Sequence, residues 1–378
     1  MKDVIAGNMI LYRKALRLSQ ERLAEMAGVT RQSINNYEKG KTLPDSKTLS
    51  NLAYVLGIGL DDLLRPEGED RLQFRFRARD SFGKSLQFAA HVRKLLETYT
   101  QLEQIVGLHP YAPESTPCDY VQGNEKYIQE IASQFRRRLD LGELPIVNLF
   151  EAVEEIGLKV LRYPVSEDSF SGLGACSTNS GAFILINSNL TIERQIFTLA
   201  HEIGHLIFHR GEYQDDRGQH QNTLKEEGTK EEEDGRERVA DYFAGHLLIP
   251  QSEFEQAYRR FDKSIIKLKT HFRVSFQAIL KRLADMKLID YGKELAKIRG
   301  IYKNRYGCPL KNSMELEPFL KLEEFPQNVR FTNLVWQVLE MEEITEATAA
   351  ELLDIQINEL GKERIKRHSH DSEAYSLI

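Results

Sequence analysis

The stretch TLAHEIGHLIFH, residues 198–209, holds the side chains best suited to chemistry. His201 and His205 are four residues apart, so on a helix their imidazoles lie about 40° apart on one face and can ligate one metal ion. Glu202, beside the first histidine, can take a proton from a water at that metal without being a ligand itself, as general-base hydrolysis requires. A catalytic zinc takes three protein ligands and keeps a fourth position open, so a third ligand must come from elsewhere in the chain. Glu237 is the choice here. It opens ERVADYFAGHLLIP (237–250), a helical pattern able to pack Val239, Phe243, Leu247 and Leu248 beside the first helix. Asp241, one turn later on the same face, can accept a hydrogen bond from a ligand histidine and fix its tautomer. The rivals are His209, Asp215, Asp216 and His246. His209 continues the histidine row but lies roughly 6 Å further along a straight helix than His205. It is better placed to cap the helix or to stabilise an oxyanion. Gly204 lets another backbone or a substrate come close.

A second constellation lies near the start, in SQERLAEMAGVTRQSINNYEKGKTLP. The pattern places a short helix from about Gln20 to Ala27, a turn at Gly28, and a second helix capped by Thr30. Leu23, Val29 and Ile34 can fill a small core, leaving Arg31, Gln32, Ser33, Asn35 and Asn36 on the outer faces. These side chain types read base edges, arginine on guanine and glutamine or asparagine on adenine. Gln20 and Thr30, at helix starts, are placed to meet phosphates, with Lys39 and Lys41 beside them.

Both constellations need elements to hold them. Residues 1–65 read as short helices, and their ten basic against seven acidic residues give +3 within a chain of net charge -6. Any affinity for nucleic acid is therefore local. Residues 66–80 alternate apolar and polar, which predicts a short strand or an arm, followed by helix at about 84–106. Pro110, Pro113 and Pro117 mark a linker. Beyond it the sequence predicts helices at 125–140 and 146–156, strands at 158–163, 172–176 and 182–187, and a long helix over 191–209 capped by Thr191. The run KEEGTKEEED reads as a solvated acidic loop, helix returns over 236–248, and helices fill 251–300 and 315–366. No internal repeat is evident, and RHSHDSEAYSLI reads as a frayed tail.

At about 100–200 residues per domain, 378 residues imply two to four folded units. With 41% apolar and 29% charged residues the chain is expected to be globular rather than disordered. It has no apolar run near the ~20 residues of a membrane span and no signal-peptide core, so neither membrane insertion nor secretion is expected. Cys118, Cys176 and Cys308 lie far apart, giving neither a disulfide framework nor a CxxC site, and a reducing cytoplasm fits.

Residues 5–64, ending in LGIGLDDLL, resemble the Cro/CI-type, or XRE, DNA-binding domain. That resemblance implies that Gln20, Thr30, Arg31, Gln32, Ser33 and Asn36 approach double-stranded operator DNA, and a single module of this size predicts a dimer or a partner. Residues 125–255, through FILIN, ERQIFTLAHEIGHLIFH and ERVADYFAGHLLIP, resemble the ImmA/IrrE metallopeptidases. This implies a zinc-dependent peptidase with ligands His201, His205 and Glu237, with Glu202 as base, acting on a protein such as a DNA-bound repressor. Many members carry a second glutamate where this chain has Val239, which favours Glu237 as the ligand. LKTHFRVSFQAILKRLADMKLI resembles the helix-turn-helix-like extension that often follows such domains, and ITEATAAELLDIQINEL has a similar rhythm. Packing or association is the favoured role for both.

The expected architecture is multi-domain: an all-α helix-turn-helix domain (1–65), an arm, helix and linker (66–123), an α+β HExxH metallopeptidase-like domain (124–260) and a helical C-terminal region (261–378). The expected function is that of a cytoplasmic transcriptional regulator carrying a zinc endopeptidase that cleaves a repressor or antitoxin. The alternative is a repressor or antitoxin whose peptidase-like domain senses a ligand or binds partners without cutting.

Overall fold

The computed structural model describes residues 1–15, 18–56, 58–64, 75–76, 86–166, 170–177, 179–210 and 230–375. The chain divides into two compact units, Met1–Thr98 and Tyr99–Ile378. Of the alternating arm at 66–80, only the two-residue strand β1 (Arg75–Phe76) is described. Asp215, Asp216 and the first part of the acidic run lie outside the described residues.

The first unit contains α1 (Lys2–Ala15), α2 (Gln20–Ala27), α3 (Arg31–Glu38), α4 (Ser46–Leu56) and α5 (Leu60–Leu64). Ile5, Met9, Leu23, Ala24, Ala27, Ile34, Leu52, Leu56 and Leu63 form its core. Leu43 and Leu60 are exposed. The carboxylate of Glu38, at the end of α3, is buried and receives Arg13 from α1 (3.0 Å) and Gln20 from α2 (2.7 Å). One ion pair thereby fixes three helices, and its burial makes loss of either partner costly. Helix α6 (Leu86–Val106) spans the division between the units.

In the second unit, α7 (Glu125–Arg138) and α8 (Leu149–Glu155) precede β2 (Lys159–Tyr163), β3 (Gly172–Ser177) and β4 (Gly181–Asn187). Strand β4, GAFILIN, is buried along its whole length. Such a continuous apolar run suits a central strand covered on both faces, and β4 pairs in parallel with β2 and antiparallel with β3. Against this sheet lies α9 (Ile192–Phe208), then α10 (Lys230–Leu248). Thr191 is the N-cap residue of α9, but its side chain makes no capping bond. Glu193 in the first turn instead accepts from the backbone of Leu320 (2.9 Å) and faces Lys269 (3.6 Å). Helix α10 starts at Lys230, earlier than the sequence predicts, taking Glu231, Glu232 and Glu233 into its first turn. Negative charge is favoured there by the unpaired N–H groups of a helix start.

The proline-rich stretch read as a linker runs against the second unit. Tyr111 O accepts from Ala182 N (2.6 Å) and Thr116 N donates to Ile207 O (2.8 Å). A Cβ on Gly181 would stand 2.4 Å from Tyr111 O, so only glycine fits beneath this strap.

The C-terminal part holds α11 (Gln251–Arg260), α12 (Ile265–Phe272), α13 (Phe276–Asp285), α14 (Tyr291–Tyr306), α15 (Val329–Glu340), α16 (Glu346–Leu353) and α17 (Ile357–Tyr375). Residues 307–328, expected to be helical from 315, contain only the 3₁₀ turn Leu322–Glu324, because Pro318 and Pro326 interrupt any helix there. The segment is anchored all the same. Phe325 O accepts from Arg162, and Asn328 pairs its side-chain amide with both N (2.8 Å) and O (3.2 Å) of Arg162 on β2. Glu103 on α6 binds Lys159 (2.6 Å) and Arg330 (2.5 Å). The expected frayed tail is helical to Tyr375. Among the described residues no helix is long and apolar enough to cross a membrane.

One local geometry recurs three times although no sequence block repeats. Helices α2, α12 and α16 each have eight residues, open on a capping hydroxyl (Ser19, Ser264, Thr345) and close on a left-handed residue (Gly28, Arg273, Asp354). The next residue, Val29, Val274 or Ile355, then donates back to Ala24, Lys269 or Ala350 at 2.9, 3.1 and 3.0 Å. This is the Schellman closure of a helix-turn-helix. The second helices differ in exposure. Outer residues of α3 meet solvent, whereas Phe276, Ala278, Ile279, Leu280 and Leu283 of α13 are buried, so that copy serves packing.

Candidate functional site

Helices α9 and α10 pack closely because of Gly204. A Cβ there would lie 3.1 Å from Ala240 Cα and 3.2 Å from Phe243, so the close approach anticipated at this glycine is that of another backbone. Val239, Phe243 and Leu247 are buried at the contact. That packing turns the Glu237 and Asp241 side of α10 toward the histidine side of α9. His201 Nε2 and His205 Nε2 are 3.0 Å apart, and the Glu237 carboxylate lies 3.5 Å from the first and 3.4 Å from the second. Among the described residues these three form the group whose ligand atoms could share one ion.

The set fits zinc. Bonds of about 2.0–2.2 Å in tetrahedral geometry put ligand atoms about 3.3–3.6 Å apart, close to the three separations found. Two imidazoles with one carboxylate also give a +2 ion borderline nitrogen and oxygen donors while leaving one position open.

Outer partners orient these side chains. Asp241 Oδ1 accepts from His201 Nδ1 (2.9 Å), which turns Nε2 toward Glu237. Lys281 on α13 donates to Asp241 Oδ2 (2.6 Å). Burial disfavours a charged His201, yet hydrogen bonds to Asp241 and Glu237 outweigh it and raise its pKa to about 9. Burial likewise opposes ionisation of Asp241, but the bond to His201 and the charges of His201 and Lys281 lower it to about 2. Glu237 is held far below the usual carboxylate range by His201 and His205, against the effect of burial.

Glu202 is buried beside β3, where Gly172 leaves the room a Cβ would take from Thr198 and, at 3.7 Å, from Glu202 Cγ. His209 sits behind His205, with the two Nδ1 atoms 2.9 Å apart, and its Nε2 reaches the carbonyl of Cys118 (2.9 Å). It is 3% exposed and bonded through both nitrogens, so an oxyanion has no access to it. His246, the other rival among the described residues, accepts from Arg282 (2.7 Å), and burial, then the arginine charge, depress its pKa to about 2. Lys281 and the Cys118 carbonyl were not anticipated. One carries no motif and the other is backbone, and both reach the site from distant segments.

In the first unit, Thr30, Arg31, Gln32, Lys39 and Lys41 are exposed, while Gln20, Ser33 and Asn36 are half-buried. Thr30 caps α3 by accepting from Ser33 N (3.1 Å) and contacts the Ser33 hydroxyl (2.8 Å). Gln32 donates to Asn36 (3.3 Å). The Gln20 amide is already engaged with Glu38, so its N–H toward that partner is not available to a phosphate.

Comparison with known proteins agrees with this division. Residues 9–63 match the family model described as helix-turn-helix, and residues 153–284 match the peptidase M78 model described as IrrE N-terminal-like domain. Two similar proteins come from Bacillus subtilis (strain 168). The SPbeta prophage-derived uncharacterized HTH-type transcriptional regulator YonR is 49% identical over 47 residues, 12% of this chain and 44% of that protein. The uncharacterized HTH-type transcriptional regulator YqaE is 37% identical over 69 residues, 18% of this chain and 60% of that one. The matched stretches thus span about half the length of these curated relatives.

Proposed function

With an XRE-type helix-turn-helix domain and an IrrE/ImmA-like domain on one chain, we propose a DNA-binding transcriptional regulator that is also a zinc-dependent endopeptidase. On this reading, residues 1–65 bind an operator, 124–260 carry the hydrolytic site, and the substrate is a protein of the repressor or antitoxin kind. One observation carries it: His201, His205 and Glu237 converge at 3.0–3.5 Å with Asp241 fixing the first imidazole.

His201, His205 and Glu237 would hold the ion, which supplies Lewis acidity to a peptide carbonyl and to a nearby water. Glu202 takes the proton of the attacking water and delivers it to the leaving amine. Its burial keeps competing solvent from that carboxylate. Asp241 keeps the His201 ring from turning. Arg31, Gln32 and Asn36 read base edges, Ser33 and Thr30 meet the backbone, and Lys39 and Lys41 contact phosphates. Two copies on a two-fold operator would supply the affinity that one module lacks.

The test combines metal analysis of the purified chain with incubation of candidate repressors, using wild type and Glu202→Gln. The expected result is one equivalent of zinc in both and cleavage by wild type alone. A protein that binds DNA and zinc but leaves every partner intact would support a partner-binding or sensing domain instead.

A further inference from the structure

A carbonyl oxygen only accepts, so the proton in the 2.9 Å bond between His209 and Cys118 O belongs to His209 Nε2. On the metal-centre reading His205 ligates through Nε2, which places its own ring proton on Nδ1, so the 2.9 Å Nδ1 to Nδ1 contact needs an acceptor on His209. His209 Nδ1 is then a lone pair. The proton in that contact is carried by His205, whose Nε2 is left bare. That bare nitrogen faces His201 Nε2 and Glu237.

We propose that His209, fixed by the Cys118 carbonyl, is a positioning residue that sets the tautomer of His205 and aims its Nε2 at the metal. The assignment rests on the reading of His201, His205 and Glu237 as a metal centre. It explains why a third histidine follows at the same four-residue spacing without joining the other two: it serves the ligand before it. His205 and His209 are 2% and 3% exposed, so water does not compete for their protons. The carbonyl is itself held in place, since Thr116 N bonds Ile207 O on the same helix (2.8 Å) two residues before Cys118. Each ligand imidazole therefore has its own acceptor, a carboxylate for His201 and a neutral imidazole for His205. Ligand basicity is then unequal, because a carboxylate pulls on the distal proton more strongly than an imidazole does.

The experiment uses the full chain as wild type, His209→Phe and His209→Gln. Zinc affinity is measured by competition with a chromophoric chelator, and nitrogen-15 histidine spectra are recorded on the zinc-loaded wild type. Glutamine can donate to Cys118 O and accept from His205 through one amide, whereas phenylalanine fills the space and does neither. Phenylalanine is expected to weaken zinc binding about 10- to 100-fold, and glutamine to restore most of it. The spectra should show His209 protonated at Nε2 and bare at Nδ1. Wild-type affinity in His209→Phe, glutamine no better than phenylalanine, or a proton on His209 Nδ1 would overturn the relay. If His209→Phe does not fold, the glutamine variant and the spectra decide. A wild type that binds no zinc removes the metal reading and the relay with it, which distinguishes that failure from the others.

Discussion

Single residues in the second unit carry charges that burial has altered, and Glu154 is the clearest case. Burial, the largest influence, outweighs the backbone N–H of Arg330 and the charges of Arg330 and Arg162, and pushes its pKa from 4.5 up to about 7. A carboxyl that holds its proton more tightly when folded stabilises the fold below its unfolded pKa, and that contribution disappears as pH rises through the folded value. Glu154→Gln should abolish the decline. Between pH 4.5 and pH 7 the variant gains on wild type, by roughly 3 kcal/mol at most, in urea titrations at each pH. Parallel stability curves would mean the carboxyl is ionised in the fold. At this scale the meeting of His201 and His205 was legible because four-residue spacing puts both on one helix face, and Asp241 follows Glu237 by one turn. The Lys281 and Cys118 contacts were not legible, since only tertiary packing brings residues 40 and 91 positions away to Asp241 and His209.

At the scale of elements, the site depends on how closely α9 lies against α10. Gly204→Val would force a branched side chain where even a single Cβ meets Ala240 Cα at 3.1 Å. Overpacking of this kind costs about 1–3 kcal/mol, and because the contact also sets the ligand separations, zinc affinity should fall together with the urea midpoint. A variant as stable as wild type that binds zinc equally well would show that the helix pair tolerates a wider gap. Strands and helices of the second unit were readable to within a few residues, since buried runs such as FILIN and the four-residue histidine spacing have strong periods. Two stretches were not. The acidic run near Lys230 looks like loop by charge yet suits a helix start, and residues 315–328 look helical by composition yet are broken by Pro318 and Pro326.

For the whole molecule, the order of modules was visible in the sequence because each has a compact signature, whereas long-range clasps such as Arg162 with Asn328 leave no local trace. The first unit makes its own prediction. Arg31 is exposed on α3 and not in the capping network, so Arg31→Ala should weaken operator binding by about 1–3 kcal/mol and relax sequence preference at one position. Lys39→Gln should instead weaken all sequences alike and lower the slope of log affinity against log salt by about one. Binding isotherms over a range of salt separate the two. Identical slopes for wild type and Lys39→Gln would remove that lysine from the interface.

The amide of Asn328 fills the last rung beyond β2, at the end of the sheet away from β3. Without it the N–H and C=O of Arg162 would be open to hydrogen bonding by a strand from another molecule. Asn328→Ala, or a chain cut before residue 310, is therefore expected to clump at concentrations where the intact protein stays clear, a change that light scattering would register. The segment whose Leu320 N–H bonds Glu193 in the first turn of α9 would thus also be the guard against fibre-like stacking.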